Sequence, residues 1–201
     1  AAVAGTLSLS NFTDTGSSGT DRITNDTAFD LTLTGQEANS SVVYQQSLNG
    51  GASWTNLASP NLSGLAAGSY QFRAQVTDSA GNVAVTAVQA VTVDTAAVAG
   101  TLSLSNFTDT GSSGTDRITN DTAFDLTLTG QEANSSVVYQ QSLNGGASWT
   151  NLASPNLSGL AAGSYQFRAQ VTDSAGNVAV TAVQAVTVDT AAVAGTLSLS
   201  N

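Results

Sequence analysis

Polar and apolar positions alternate over short stretches of this chain, and Gly, Asn and Asp break the stretches apart. Phe29, Leu31 and Leu33 interleave with Asp30, Thr32 and Thr34, the period of two expected of a strand with one buried face. Val42 and Tyr44 alternate with Val43 and Gln45 in the next strand. The clearest alternation sets Tyr70, Phe72, Ala74 and Val76 against Gln71, Arg73, Gln75 and Thr77. Thr6 to Ser10 reads as a short first strand, and Asn11 to Asn25 as a polar loop. Asn49-Gly50-Gly51 is a hairpin turn, because Asn and Gly accept positive φ, and Trp54 to Leu57 is the returning strand. Leu62 to Leu65 reads as a fifth strand and Asp78 to Asn82 as a tight turn. Val83 to Asp94 is too long for one straight strand and is predicted to bend near Ala87 to Ala90. No helical period is present, so the predicted class is all-β.

The whole pattern then repeats. AAVAGTLSLSN begins at Ala1, at Ala96 and at Ala191, an offset of 95 residues each time. Every letter between agrees, so Trp54 returns as Trp149 and Pro60 as Pro155. The predicted organisation is one domain at 1–95, an identical one at 96–190, and the first strand of a third at 191–201. A period this long holds a complete core, unlike a solenoid unit that borrows one from its neighbours. About seven short strands per repeat, with regular turns, predict immunoglobulin-like Greek-key β-sandwiches in tandem. Leu65 to Tyr70 reads as a tyrosine corner opening the sixth strand. Because the copies are identical, neither can carry a specialised site that the other lacks.

Composition narrows the function. There are 14 acidic residues against four arginines, and no Cys, Met or His, for a net charge of −10. Such an acid excess argues against nucleic acid and anionic membrane surfaces as partners. No apolar run approaches the roughly 20 residues of a membrane span, so direct insertion is not expected. Without Cys or His the chain lacks thiolate chemistry, the usual general base and the usual transition-metal ligands. No acid–base constellation is evident, and the expectation is a protein that is not an enzyme and has no small-molecule substrate. Ser47 to Trp54 resembles the Asp-box hairpin with Asn in place of Asp, a structural turn that keeps Trp54 packed.

Three runs carry a family resemblance: Asp14 to Asp26, Gly68 to Asn82, and Val91 to Thr95. In this order they resemble the bacterial Ig-like repeats of giant biofilm-associated and RTX-type surface adhesins of Gram-negative bacteria. The resemblance covers the whole repeat. It implies an extracellular, cell-surface stalk, stiffened by calcium, that takes part in cell adhesion and holds ligand-binding domains away from the cell. One departure stands in the linker, where Ala96-Ala97-Val98-Ala99 replaces the usual proline after Asp94-Thr95.

Calcium takes six to eight oxygen ligands, mostly carboxylate and carbonyl. In a sandwich of alternating strand directions, one pole gathers Asp14, Asp21, Asp26 and Asp94, repeated as Asp109, Asp116, Asp121 and Asp189. The other pole carries Glu37, Asn39 and the Asp78 turn, repeated as Glu132, Asn134 and Asp173. Tandem stacking is expected to set the Asp94 pole against Glu132 and Asp173, where a divalent ion relieves the repulsion. The expected cofactor is therefore Ca²⁺, and the expected partners are neighbouring repeats of the same chain. The expected function is a structural extender; the alternative is a multivalent glycan- or protein-binding module.

Overall fold

A computed structural model describes residues 1–193, so most of the strand expected at 191–201 lies outside the described residues. Clustering of the backbone gives two compact units. The first comprises Ala1–Ala97 with the turn Asp173–Asn177; the second comprises Val98–Thr172 and the described residues from Val178 onward. Each is all-β.

In the first repeat the strands are β1 (Thr6–Ser10), β2 (Ile23–Thr24), β3 (Asp30–Thr34), β4 (Ser41–Ser47), β5 (Thr55–Asn56), β6 (Gly68–Thr77), β7 (Val83–Val85) and β8 (Gln89–Val93). One sheet pairs β1 antiparallel with β3, and a bridge from Asp30 to Asn61 extends it. The other runs β2-β8-β6-β4-β5, with β7 also on β6. The second repeat follows the same plan with β9 (Thr101–Ser105), β10 (Ile118–Thr119), β11 (Phe124–Thr129), β12 (Ser136–Ser142), β13 (Thr150–Asn151), β14 (Asn156–Leu157), β15 (Gly163–Thr172), β16 (Val178–Val180) and β17 (Gln184–Val188).

The core lies between the sheets. Leu7, Phe29 and Leu31 from one face meet Tyr70, Phe72, Ala74, Val91 and Val93 from the other. Phe72, Ala74 and Val76 are fully buried, as the alternation along β6 requires. Phe12 packs edge-on to Phe29 at 5.3 Å, and Phe29 packs edge-on to Phe72 at 5.8 Å. These contacts cross from loop to first sheet to second sheet, in the edge-to-face geometry that aromatic rings favour. Gly5 has φ +76°, and a side chain there would run into the Thr34 carbonyl, so only glycine lets the chain enter β1 beside β3.

Two elements differ from those that the sequence pattern predicts. The polar loop 11–25 contains β2, which pairs parallel with β8 through Ile23–Thr92 and Thr24–Val93. The fifth strand lies earlier than Leu62 to Leu65. The pairing centres on Asn61 in the first repeat and on Asn156–Leu157 in the second. Leu31 N–H donates to the Pro60 carbonyl and Leu62 N–H to the Phe29 carbonyl, after which Gly64, at φ +65°, turns the chain away. The last strand bends about where expected, breaking at Thr86 to Val88, where Thr86 exchanges bonds with Ala74 by backbone and hydroxyl.

The tyrosine corner is present in both repeats: Tyr70 Oη donates to the Ala66 carbonyl and Tyr165 Oη to that of Ala161, each at 2.9 Å. Phenylalanine at both positions would keep the ring and remove the tie, at a cost of about 0.5–1.5 kcal/mol per repeat. A lowered denaturant midpoint with unchanged slope is the expected result for the Tyr70→Phe, Tyr165→Phe double variant. An unshifted midpoint would show that the corner carries no stability.

Candidate functional site

The acidic residues of the loop before β3 fold that loop around their own carboxylates. Asp14 Oδ2 accepts the Arg22 backbone N–H at 3.0 Å. Asp21 Oδ1 accepts that of Ile23 at 3.0 Å. Asp26 accepts from Thr13 at 2.9 Å and from Ala28 at 3.0 Å. Thr24, wholly buried, donates its hydroxyl to the Thr13 carbonyl at 2.6 Å and so ties the loop to the start of β2–β8 pairing. The same set recurs with Asp109 on Arg117, Asp116 on Ile118, and Asp121 on Thr108 and Ala123. Arg22 and Arg117 sit at φ 59° and 58°, a conformation that non-glycine residues seldom adopt. The aspartate bond to the backbone N–H of each holds it there.

One oxygen in this loop is left over. Asp14 Oδ1 is buried and has no hydrogen-bond partner, and Asp109 Oδ1 is in the same state. An unsatisfied buried acceptor is costly. Its recurrence in both repeats makes it a property of the loop rather than of one copy.

The turn after β6 is organised by Asp78. Its Oδ1 accepts the backbone N–H groups of Ala80 and Asn82 at 2.9 and 2.8 Å, and its Oδ2 accepts Asn82 Nδ2 at 2.7 Å. The Asn82 side-chain bond, then its backbone bond, hold the Asp78 carboxyl below the usual aspartate range. Glu37 serves another turn: Val3 N–H donates to its carboxylate at 3.2 Å, as Val98 N–H donates to Glu132 at 3.1 Å in the second unit.

Identical sequence does not give identical surroundings. Asp173, the counterpart of Asp78, is only 2% exposed, and its turn lies in the first compact unit. Within that unit Asn177 Nδ2 donates to the Asp94 carbonyl at 2.9 Å and to Asp173 Oδ2 at 2.7 Å. A carboxylate oxygen of Asp94 comes within 4.8 Å of one of Asp173. Thr15 Oγ1 donates to the Ala175 carbonyl in the same unit. Asp94 is half-buried, whereas Asp189, its counterpart, is exposed. Each still accepts the N–H two residues on, from Ala96 and Ala191 respectively. Asn177 was not singled out from sequence, and no letter could have marked it, since Asn82 stands in the same context.

The donors gathered around Asp94 and Asp173 are oxygens, the kind a hard cation takes. On the sheet face, Arg73 lies over the Trp54 ring at 4.1 Å and donates to Gln45 Oε1 at 2.8 Å. Trp54 is thus packed by a guanidinium, in line with the hairpin reading.

Comparison with known proteins places the chain. A search of curated protein sequences found no match. Among solved structures it is similar to fibronectin(III)-like modules of Clostridium thermocellum CbhA, at 14% identity and TM-score 0.35, covering 90% of this chain and 92% of that one. It is also similar to the chicken CNTN1 FN1–FN3 domains, at 13% identity and TM-score 0.35, covering 92% of this chain and 65% of that one. A third similar structure concerns the host cell surface retention of a 1.5-MDa bacterial ice-binding adhesin, at 21% identity and TM-score 0.39, covering 90% of this chain and 63% of the solved one. The family model of the bacterial Ig-like domain matches residues 2–95 and again 97–190. The chain therefore belongs to the bacterial Ig-like domain family, as two tandem copies.

Proposed function

We propose that this chain is an extender segment of a large bacterial surface adhesin, a stalk that holds ligand-binding domains away from a Gram-negative cell and is stiffened by calcium at the junctions between repeats. The observation that carries the reading is the letter-for-letter 95-residue repeat, each copy with a core of its own. A spacer needs length and repetition. A recognition module or an enzyme needs at least one surface specialised for its ligand.

The placement of β2 supports a load-bearing role. The chain enters through β1, held antiparallel on β3, and leaves after β8; behind β1, the next strand, β2, runs parallel to β8 and takes the load once β1 yields. A pull along the chain then draws β2 and β8 past each other in shear. The bonds from Thr92 N–H to the Arg22 carbonyl and from Asp94 N–H to the Thr24 carbonyl, 2.9 and 2.8 Å, are then loaded together. An antiparallel hairpin pulled at its open end would instead lose its bonds one by one.

Two observations favour calcium. Asp94 and Asp173 bring carboxylates within 4.8 Å of each other beside the carbonyl of Asp94, and the like charges repel unless something offsets them. The unpartnered Asp14 and Asp109 oxygens are the kind of orphan that a cation satisfies. Asp94 and Asp173 are the residues most suited to hold the ion, which would supply the positive charge and the oxygen-directed bonds that side chains here lack.

Extracellular calcium modules bind at about 10⁻⁴–10⁻³ M. Ten-millimolar Ca²⁺ should then add roughly 1.4–2.7 kcal/mol to the native state by mass action. Melting in Ca²⁺ should run roughly 6–20 °C above melting in EGTA for a unit of this size, and coincident curves would remove the ion from the account. Asp94→Asn or Asp173→Asn should abolish most of that shift. Asp189→Asn and Asp78→Asn, the same substitutions at the counterpart positions, should leave most of it. Equal loss from all four would show that calcium binds the acids of each repeat indiscriminately. A glycan array probed with the chain should give no signal, and a specific hit would favour recognition over spacing.

A further inference from the structure

The hairpin between β4 and β5 contains Asn49-Gly50, repeated as Asn144-Gly145. This dipeptide is chemically vulnerable. The Gly50 backbone nitrogen can attack Cγ of Asn49, expel the side-chain nitrogen as ammonia and close a succinimide ring. Water then opens the ring at either carbonyl, giving Asp or isoaspartate. Glycine at the second position puts no side chain in the way of the attack. Gly50 sits at φ +69° in open space, and Asn49 is exposed to solvent.

The structure holds the Asn49 amide by both of its ends. Ser47 Oγ donates to Oδ1 at 2.9 Å, and Ser53 N–H donates to the same oxygen at 2.9 Å. Asn49 Nδ2 donates to Ser53 Oγ at 2.8 Å. Ser47 is itself fixed, being 2% exposed, with its hydroxyl oxygen also accepting Gly51 N–H at 2.9 Å. The second repeat has the same network at 2.8, 2.9 and 2.8 Å. Two donors on Oδ1 polarise the carbonyl and on that count favour attack. Geometry opposes it. Ring closure needs Cγ in near-attack contact with the Gly50 nitrogen, and an amide anchored to residues 47 and 53 is not free to turn toward residue 50.

We propose that Asn49 and Asn144 are latent modification sites, guarded by the Ser47–Asn49–Ser53 network while the hairpin is folded and converted to Asp or isoaspartate when it opens. The two products differ in consequence. Aspartate keeps both acceptor bonds of the turn, adds a charge, and replaces the Nδ2 donor with an oxygen to which the Ser53 hydroxyl can donate in turn. Isoaspartate lengthens the backbone inside the hairpin and disturbs the Gln46–Thr55 and Gln45–Asn56 register. The hairpin therefore records how long the chain has spent with this turn open. The inference is independent of the stalk and calcium readings.

The test is a time course of the full chain in mildly alkaline buffer, native and urea-unfolded, read by mass spectrometry with fragmentation to assign the site. Trypsin releases residues 23–73 and 118–168 with identical sequence, so the copies report as one signal. The native rate at the Asn-Gly site should be at least about tenfold below the unfolded rate, as expected when more than one net hydrogen bond must break. Ser53→Ala with Ser148→Ala removes one anchor from each exposed turn and should raise the native rate roughly fivefold, with no change in the unfolded rate. Circular dichroism and the denaturant midpoint confirm that the variant is folded. Equal native and unfolded rates in the parent chain would overturn the proposal. So would a folded serine variant that deamidates no faster than its parent.

Discussion

No disulfide joins the two sheets of either repeat, because the chain has no cysteine, so side-chain packing must do most of the work of holding them face to face, with Gln89 Nε2 donating across to the Leu7 carbonyl at 3.0 Å in the first repeat. That constraint falls on few residues. Phe29 from one sheet and Phe72 from the other are both essentially inaccessible to water and meet edge-on. Burying a side chain of that size contributes about 1.5–3 kcal/mol. Tyr70 stacks parallel to Phe72 at 5.8 Å and anchors its hydroxyl to the preceding turn, which fixes where β6 begins. Once β6 is placed, β4, β7 and β8 all take their register from it.

The loop before β3 is the other organised part, and it is held by polar groups. A few aspartates and a buried threonine satisfy backbone N–H and carbonyl groups that a long loop would otherwise leave exposed or unpaired. This explains why a polar stretch, rich in Gly and Ser, is structured and delivers β2 to the edge of β8. The acids there do two things at once: they build the loop, and in Asp14 and Asp109 they leave an oxygen unsatisfied.

Much of the fold was legible because β6 and β3 alternate so regularly that inward and outward residues can be assigned by eye. The repeat was legible by identity alone. What escaped reading has physical reasons. Strand β2 spans Ile23–Thr24 only, and its pairing with β8 is made by backbone atoms that carry no letter. The apolar pattern points to Leu62 and Leu65 for the fifth strand, whereas its bonds use the carbonyl of Pro60, a residue whose missing N–H ordinarily marks a strand's end. The acids of the candidate site were named from sequence, but not their inequality. Asp78 and Asp173 share every neighbouring letter, yet only Asp173 is buried. Such differences belong to packing at long range, which local pattern cannot encode.

The central proposal is that each repeat, with a core of its own, bears load in a stalk. Stretching single molecules of a tandem array by atomic force microscopy tests it most directly. The account predicts one discrete unfolding event per repeat, all of the same size. Each should release close to the extended length of 95 residues, roughly 310–340 Å before the folded length is subtracted. A single event that releases several repeats together, or smooth extension without events, would contradict it.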